Sequence, residues 1–160
     1  MADVRLQPER WSLKELFPSP EGPELDQASR ELDGMLSEFE RCRDRLGPEL
    51  GEDEFVQILR QYERAVRKIS RIVNYGELLF YEDTQNQKSQ SLFAQGRQTA
   101  AEFENRTLFF KLWWKDLADE PATRLMAAAG EDRYWLEVLR LQKPYTLTEP
   151  EEKVINLKDV

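Results

Sequence analysis

Carboxylates are the side chains in this sequence most able to do chemistry. Glu52, Asp53 and Glu54 are consecutive, and Glu149, Glu151 and Glu152 fall within four positions. A carboxylate pair on facing helices could act as acid and base or hold a metal, but nothing in the spacing singles one out. Both groups sit where a helix is expected to begin, and attraction to the helix dipole already accounts for acid there. The chain has no histidine. That excludes an HExxH zinc site, a Ser–His or Cys–His pair and an imidazole base. The single cysteine, Cys42, lies on an apolar seam and reads as a buried, inert thiol. Glycines stand singly, so no loop cradles a phosphate. Tyr75, Tyr81 and Tyr145 read as core or rim residues. No catalytic, cofactor-binding or metal-ligating residue is assigned to this chain.

The elements that carry these residues are helical. Leu25, Ala28, Leu32, Met35, Phe39, Cys42 and Leu46 are spaced 3-4-3-4-3-4, a heptad seam along one helix that "GPELG" is expected to end. Phe55, Leu59, Tyr62, Val66, Ile69, Val73, Gly76 and Phe80 repeat 4-3-4-3-4-3-4, and Ile58, Ala65, Ile72 and Leu79 add a second row. The stripe is wider than a two-stranded seam and suits a bundle helix about 45 Å long. Asp83 or Thr84 is expected to cap a third helix. It opens with small residues such as Ser89, Ala94 and Gly96, which let a neighbour approach closely. "ADEP" separates it from a short helix around residues 122–129 closed by Gly130. "EDRYWLEVLRLQK" forms another, stopped by Pro144, and Thr148 with Glu151 fits a capping box opening the last. Before residue 24, Ser12 and Glu15 fit a capping box with Trp11 and Leu16 as its hydrophobic staple. No internal repeat, alternating strand pattern or low-complexity tract appears.

Composition agrees with this pattern. At 160 residues, one domain can bury roughly 70% of its unfolded surface. A net charge of −8, with basic and acidic residues interleaved as in "RQYERAVRKISR", argues against a nucleic-acid partner. No apolar run reaches the ~18 residues a membrane span requires. "MADVRLQPERW" has no apolar core of a signal peptide, and a lone cysteine fits a reducing compartment; the expected location is the cytoplasm.

The densest aromatic stretch is "NRTLFFKLWWKDL", 105–117. At 100° per residue, Phe103, Thr107, Phe110, Trp114 and Leu117 lie within about 40° of one line. Phe109 and Trp113 lie to its sides, Leu108 and Leu112 behind it, and only Lys111 and Lys115 form a polar stripe. A helix apolar nearly all round is a central one. Any aromatic surface the bundle leaves uncovered would mark an interface, and Leu112, Trp113 and Ile155 are the residues expected there.

Four stretches carry a family resemblance: "RWSLKELFP" (10–18), "YEDTQNQKSQSL" (81–92), "NRTLFFKLWW" (105–114) and "KPYTLTEPEEKVINLKDV" (143–160). They make up about a third of the chain and follow one order. Together they resemble the N-terminal region of the oligoendopeptidase F family of zinc metallopeptidases. The resemblance implies an all-helical, clamshell-like parent that encloses peptide substrates. Its zinc would be held by an HExxH helix and a later Glu, none of which this sequence contains. It further implies that this chain is a non-catalytic N-terminal lobe covering the substrate cavity, with the catalytic domain of the same polypeptide as its partner.

The expected fold is all-α: an antiparallel bundle with long second and third helices and short C-terminal ones. Residues 1–23 are expected to form an extended arm with one capped turn, 24–142 the bundle, and 143–160 a linker and the start of a helix leading into the catalytic domain. The alternative function is a free-standing helical interaction module whose heptad seams pair with a partner helix.

Overall fold

The computed structural model describes residues 12–158. Six α-helices follow one another: α1 (Pro23–Glu40), α2 (Glu52–Glu82), α3 (Gln87–Asp116), α4 (Asp119–Ala128), α5 (Arg133–Leu141) and α6 (Glu149–Lys158). No strand occurs among the described residues. The chain is an all-α bundle built on the long α2–α3 pair.

α2 follows most of its two apolar rows, with Val66, Val73, Leu79 and Phe80 only partly buried and Tyr75, which lies in neither row, buried as well. Phe55, Ile58, Leu59, Tyr62, Ala65, Ile69, Ile72, Tyr75 and Gly76 are buried, and the acidic triplet 52–54 occupies its first turn. α3 packs back along it with unusually small separation. A Cβ on Gly76 would lie 2.8 Å from the carbonyl oxygen of Leu92, and one on Gly96 3.5 Å from the Cα of Val73. α1 lies antiparallel to α2, because Glu31 pairs with Lys68 at 2.6 Å and Arg45 with Glu54 at 2.5 Å.

The three helices meet in a triangle of rings. Phe39, Tyr62 and Phe110 have centroids 5.6 to 5.7 Å apart. Nearby, Phe55 stacks on Trp114 at 5.3 Å, and the Trp114 indole N–H donates to the Leu136 carbonyl at 2.9 Å, so α5 is fastened to α3 by the one polar atom of a fully buried side chain. All five residues of the expected α3 line (Phe103, Thr107, Phe110, Trp114, Leu117) are buried. Thr107 satisfies its hydroxyl by donating to the Phe103 carbonyl at 2.9 Å.

Several local expectations are corrected. α1 ends at Glu40, well before "GPELG"; a 3-10 turn (Arg43–Arg45) follows, and Cys42 continues the apolar seam from that turn. On α1, Leu36 is buried while Met35 is only partly so, because a straight helix at 3.6 residues per turn drifts off a strict heptad. The cap of α3 is Asn86, whose Oδ1 accepts from the N–H groups of Lys88 and Ser89 at 2.9 and 3.2 Å. Asp83 instead accepts from the Gln85 N–H at 3.0 Å and shapes the preceding turn. α4 begins inside "ADEP": Ala118 is its cap and Pro121 lies in its first turn, where a missing N–H breaks no intrahelical bond. Gly130 does close that segment, with φ +59°, a backbone that side chains disfavour.

The capping box at α6 forms in altered shape. Glu151 accepts from the Thr148 N–H at 3.0 Å, and the Thr148 hydroxyl donates to the same carboxylate at 2.6 Å. In the arm, the turn at residues 13–17 is closed by backbone bonds to the Leu13 carbonyl; Trp11 lies outside the described residues. Phe17 is buried against Tyr75 at 5.0 Å, and Arg71 donates to the Leu16 carbonyl while covering the Phe17 ring. The end of the arm is thereby part of the core.

Candidate functional site

Most of the carboxylates that invited an acid–base reading are already engaged. Glu54 pairs with Arg45. Glu149 pairs with Arg43 at 2.7 Å and Lys153 at 2.8 Å; the Lys153 bond and the Arg43 charge outweigh partial burial and hold its carboxyl below the usual range. Glu151 is lowered by its bonds to Thr148, and Glu152 accepts from the Leu147 N–H at 3.0 Å. No group of three His, Cys, Asp or Glu side chains placed to hold a metal occurs among the described residues. Cys42 is fully buried, and burial pushes its thiol up to about 11. Tyr75 is core, whereas Tyr81 and Tyr145 are exposed.

Two other places have the geometry of sites. The first is a groove of about 380 Å³ between α2 and α3, closed at one end by Trp135 of α5. Tyr62, Val66, Ile69 and Val73 line the α2 wall; Ala100, Phe103, Glu104 and Lys111 line the α3 wall. Trp135 stacks on Tyr62 at 5.2 Å and 21°. Lys111, mostly withdrawn from solvent, donates to Glu104. Burial alone would lower the Lys111 ammonium, but its contacts with Tyr62 and Glu104 outweigh that and raise it. Burial pushes the Tyr62 phenol up despite the neighbouring cation. The Tyr62 phenol and the Glu104 carboxylate therefore both favour the charged ammonium. Lys111 was legible only as half of a polar stripe; nothing in the linear pattern sets it against Tyr62, 49 positions earlier.

The second place is the surface made by the end of α5, the turn after it and α6. Leu141, Tyr145, Leu147, Val154, Ile155 and Leu157 are all exposed. α6 lies on α3 with a polar side inward: the Asn156 side chain donates to Asn105 at 2.9 Å. Val154 and Leu157, about 160° and 100° round the helix from Asn156, are 63% and 64% exposed. An ordinary surface helix turns its apolar side inward and its polar side to water; α6 does the reverse. Of the residues expected to be uncovered, Ile155 is 42% exposed. Leu112 and Trp113 are partly buried, and they line a shallow hollow of about 450 Å³ together with Leu147. Trp113 is shielded by Phe55 and Phe110.

No helix is long and apolar enough to cross a membrane among the described residues. No family model, curated protein or solved structure matches the chain.

Proposed function

We propose that this chain is the N-terminal helical lobe of an oligoendopeptidase F-like zinc metallopeptidase, covering the substrate cavity and contributing no catalytic group of its own. The observation that carries the reading is the inverted α6, which turns the partly buried Asn156 toward α3 and leaves Val154 and Leu157 in water. Fully burying one such side chain contributes roughly 1.5–3 kcal/mol, so a covering domain would gain substantially from this surface. The four resembling stretches name the kind of domain. In that parent enzyme zinc would polarise the scissile carbonyl and activate water. This chain has no histidine, and its described residues offer the metal no site, so no step of hydrolysis is assigned to them. Cytoplasmic location, peptide substrates and docking on the catalytic domain all belong to this proposal. A module pairing through its heptad seams is less well supported, because Phe39, Tyr62 and Phe110 are spent on one another inside the chain.

The test is co-purification with a separately expressed catalytic domain of that family, alongside hydrophobic-dye fluorescence. Wild type should bind the dye, and the catalytic domain should suppress that signal. Val154→Gln with Leu157→Gln should remove both effects while leaving helicity intact. A wild type that ignores the catalytic domain, or a double variant that still binds it equally, overturns the reading.

A further inference from the structure

A further concavity lies beside the turn that joins α2 to α3, away from both places described above. Two hollows, of about 310 and 190 Å³, share Pro20, Glu21 and Lys88 as a common wall. The larger reaches Ile72 of α2 and the smaller reaches Glu82, so together they run about 15 Å along the helix. Their combined shape is an elongated cleft.

The charges along it are mostly of one sign. Asp26 lines the larger hollow, Asp83 the smaller, and Glu21 both. Lys88, also on the shared wall, is the one cation set against these three carboxylates. Asp83 accepts from the Gln85 N–H at 3.0 Å through one oxygen, which leaves the other open. Glu82 lines the smaller hollow too and is already engaged. That hollow lies at the C-terminal end of α2, where the helix dipole is negative and the last turn carries no basic residue. The opposing dipole at the start of α1 is offset by Glu24 and Asp26 in its first turn.

Ser89 is an independent sign of a ligand. It is 7% exposed and lines the smaller hollow. Ser29, Thr99 and Thr123 each donate their hydroxyl to the carbonyl four residues back. For Ser89 that carbonyl belongs to Gln85, which precedes α3, and no such bond forms. Its N–H donates to Asn86 at 3.2 Å, while its hydroxyl meets no protein partner among the described residues and opens on the hollow. A hydroxyl withdrawn from water without a partner costs free energy, and a donor seated in the hollow would recover it.

The lining narrows the ligand. Carboxylates and a free hydroxyl oxygen accept hydrogen bonds, so the ligand must donate and carry positive charge. The carboxylates are strung along the cleft, and no three acidic side chains among the described residues are placed to hold a metal. The positive charge must therefore be strung out as well. Pro20, Leu25 and Leu79 give apolar wall between the charges, which suits methylene segments. A hollow of 190 Å³ is below the roughly 300 Å³ of ordinary ligand pockets and favours an unbranched chain over a ring or a peptide.

We infer that this cleft binds a linear polyamine in extended form, its ammonium groups pairing with Asp26, Glu21 and Asp83 and one of them donating to the Ser89 hydroxyl. The site uses no residue of α6, so it stands or falls separately from the docking of a catalytic domain there.

The experiment is a titration of the ¹⁵N-labelled chain with spermidine, followed by NMR and calorimetry. One saturable site is expected, with shifts at Asp26, Ser89 and the Gln95 side-chain amide. Butylamine, with a single ammonium, should bind about tenfold more weakly. Ser89→Ala should weaken spermidine binding several-fold, and Asp26→Asn with Asp83→Asn about tenfold. Lys88→Gln should strengthen it. Circular dichroism should be unchanged in each; Glu21→Gln, outside every helix, serves if the double variant does not fold. Absence of a saturable site, magnesium ions binding equally well with the same shifts, wild-type affinity in both the Ser89 and the carboxylate variants, or tighter binding of acetyl-Lys-Ala-Lys-amide would each overturn the inference.

Discussion

Arg106 holds both carboxylate oxygens of Glu40, at 2.8 Å each, joining the middle of α3 to the last residue of α1. The same guanidinium donates to Asp33 at 2.6 Å and to the Ser37 hydroxyl at 3.0 Å. It is the most heavily bonded cation between α1 and the α2–α3 pair.

This contact predicts an acid-sensitive link. The bond from Arg106 outweighs partial burial and lowers the Glu40 carboxyl below its ordinary 4.5. A carboxyl lowered by folding stabilises the fold above its unfolded pKa, and that contribution disappears as pH falls through the lower folded value. Arg106→Met should therefore cost about 1 kcal/mol at pH 7, a modest figure because Glu40 is two-fifths exposed. The gap should narrow as pH falls below 4.5 and on through the lower folded value, where Glu40 becomes protonated in wild type as well. Urea unfolding of both proteins across pH 3–7 measures it; a gap independent of pH would refute the link.

Two glycines on the α2–α3 contact should respond oppositely to alanine. Alanine gains up to about 1 kcal/mol of helix propensity over glycine. At Gly96 the new methyl meets Val73 at an ordinary 3.5 Å, so Gly96→Ala should be neutral or stabilising. At Gly76 it would meet the Leu92 carbonyl oxygen at 2.8 Å, and separating two backbones costs about 1–3 kcal/mol. Gly76→Ala should lower the thermal midpoint while Gly96→Ala does not; equal effects would mean the helices are not that close.

Gln61 carries the single unsatisfied buried side-chain oxygen found among the described residues. Gln61→Met removes the stranded acceptor and should stabilise by about 1 kcal/mol. Gln61→Glu would place a charge at that buried oxygen without a partner and should destabilise. Chemical denaturation of the pair decides the point, and a destabilised Gln61→Met would show that the oxygen is not stranded.

Long-range periodicity was legible in the residues; local chain geometry was much less so. Most of the α2 rows and all of the Phe103–Leu117 line appear in the core, with Val66, Val73, Leu79 and Phe80 only partly buried, because burial on one helix face is a repeated signal that survives individual exceptions. Caps lack that redundancy. Asp83, Thr84 and Asn86 are all plausible caps by residue type, and only the path of the turn selects Asn86. The end of α1 was misplaced because Cys42 keeps its apolar position after the helix has changed to a 3-10 turn. The groove was invisible for another reason. Lys111 meets Tyr62 only once α2 and α3 are in register, and that register depends on Gly76 and Gly96. The unusual α6 was half-legible: its apolar residues could be counted, but only the Asn156–Asn105 bond shows which side they occupy.

The α2–α3 hairpin also sets the order in which the chain assembles. Its two helices are consecutive, joined by a turn of four residues (83–86), and they share the most extensive helix interface. Closing so short a loop loses little entropy, and such local topologies fold in microseconds to milliseconds. The bonds that attach α1 and α6 span far more chain: Arg106 to Asp33 crosses 73 positions, and Asn156 to Asn105 crosses 51. The hairpin is thus the natural nucleus, with α1 and α6 docking after the rate-limiting step. Mutations at Gly76 should slow refolding, whereas loss of Arg106 should chiefly hasten unfolding.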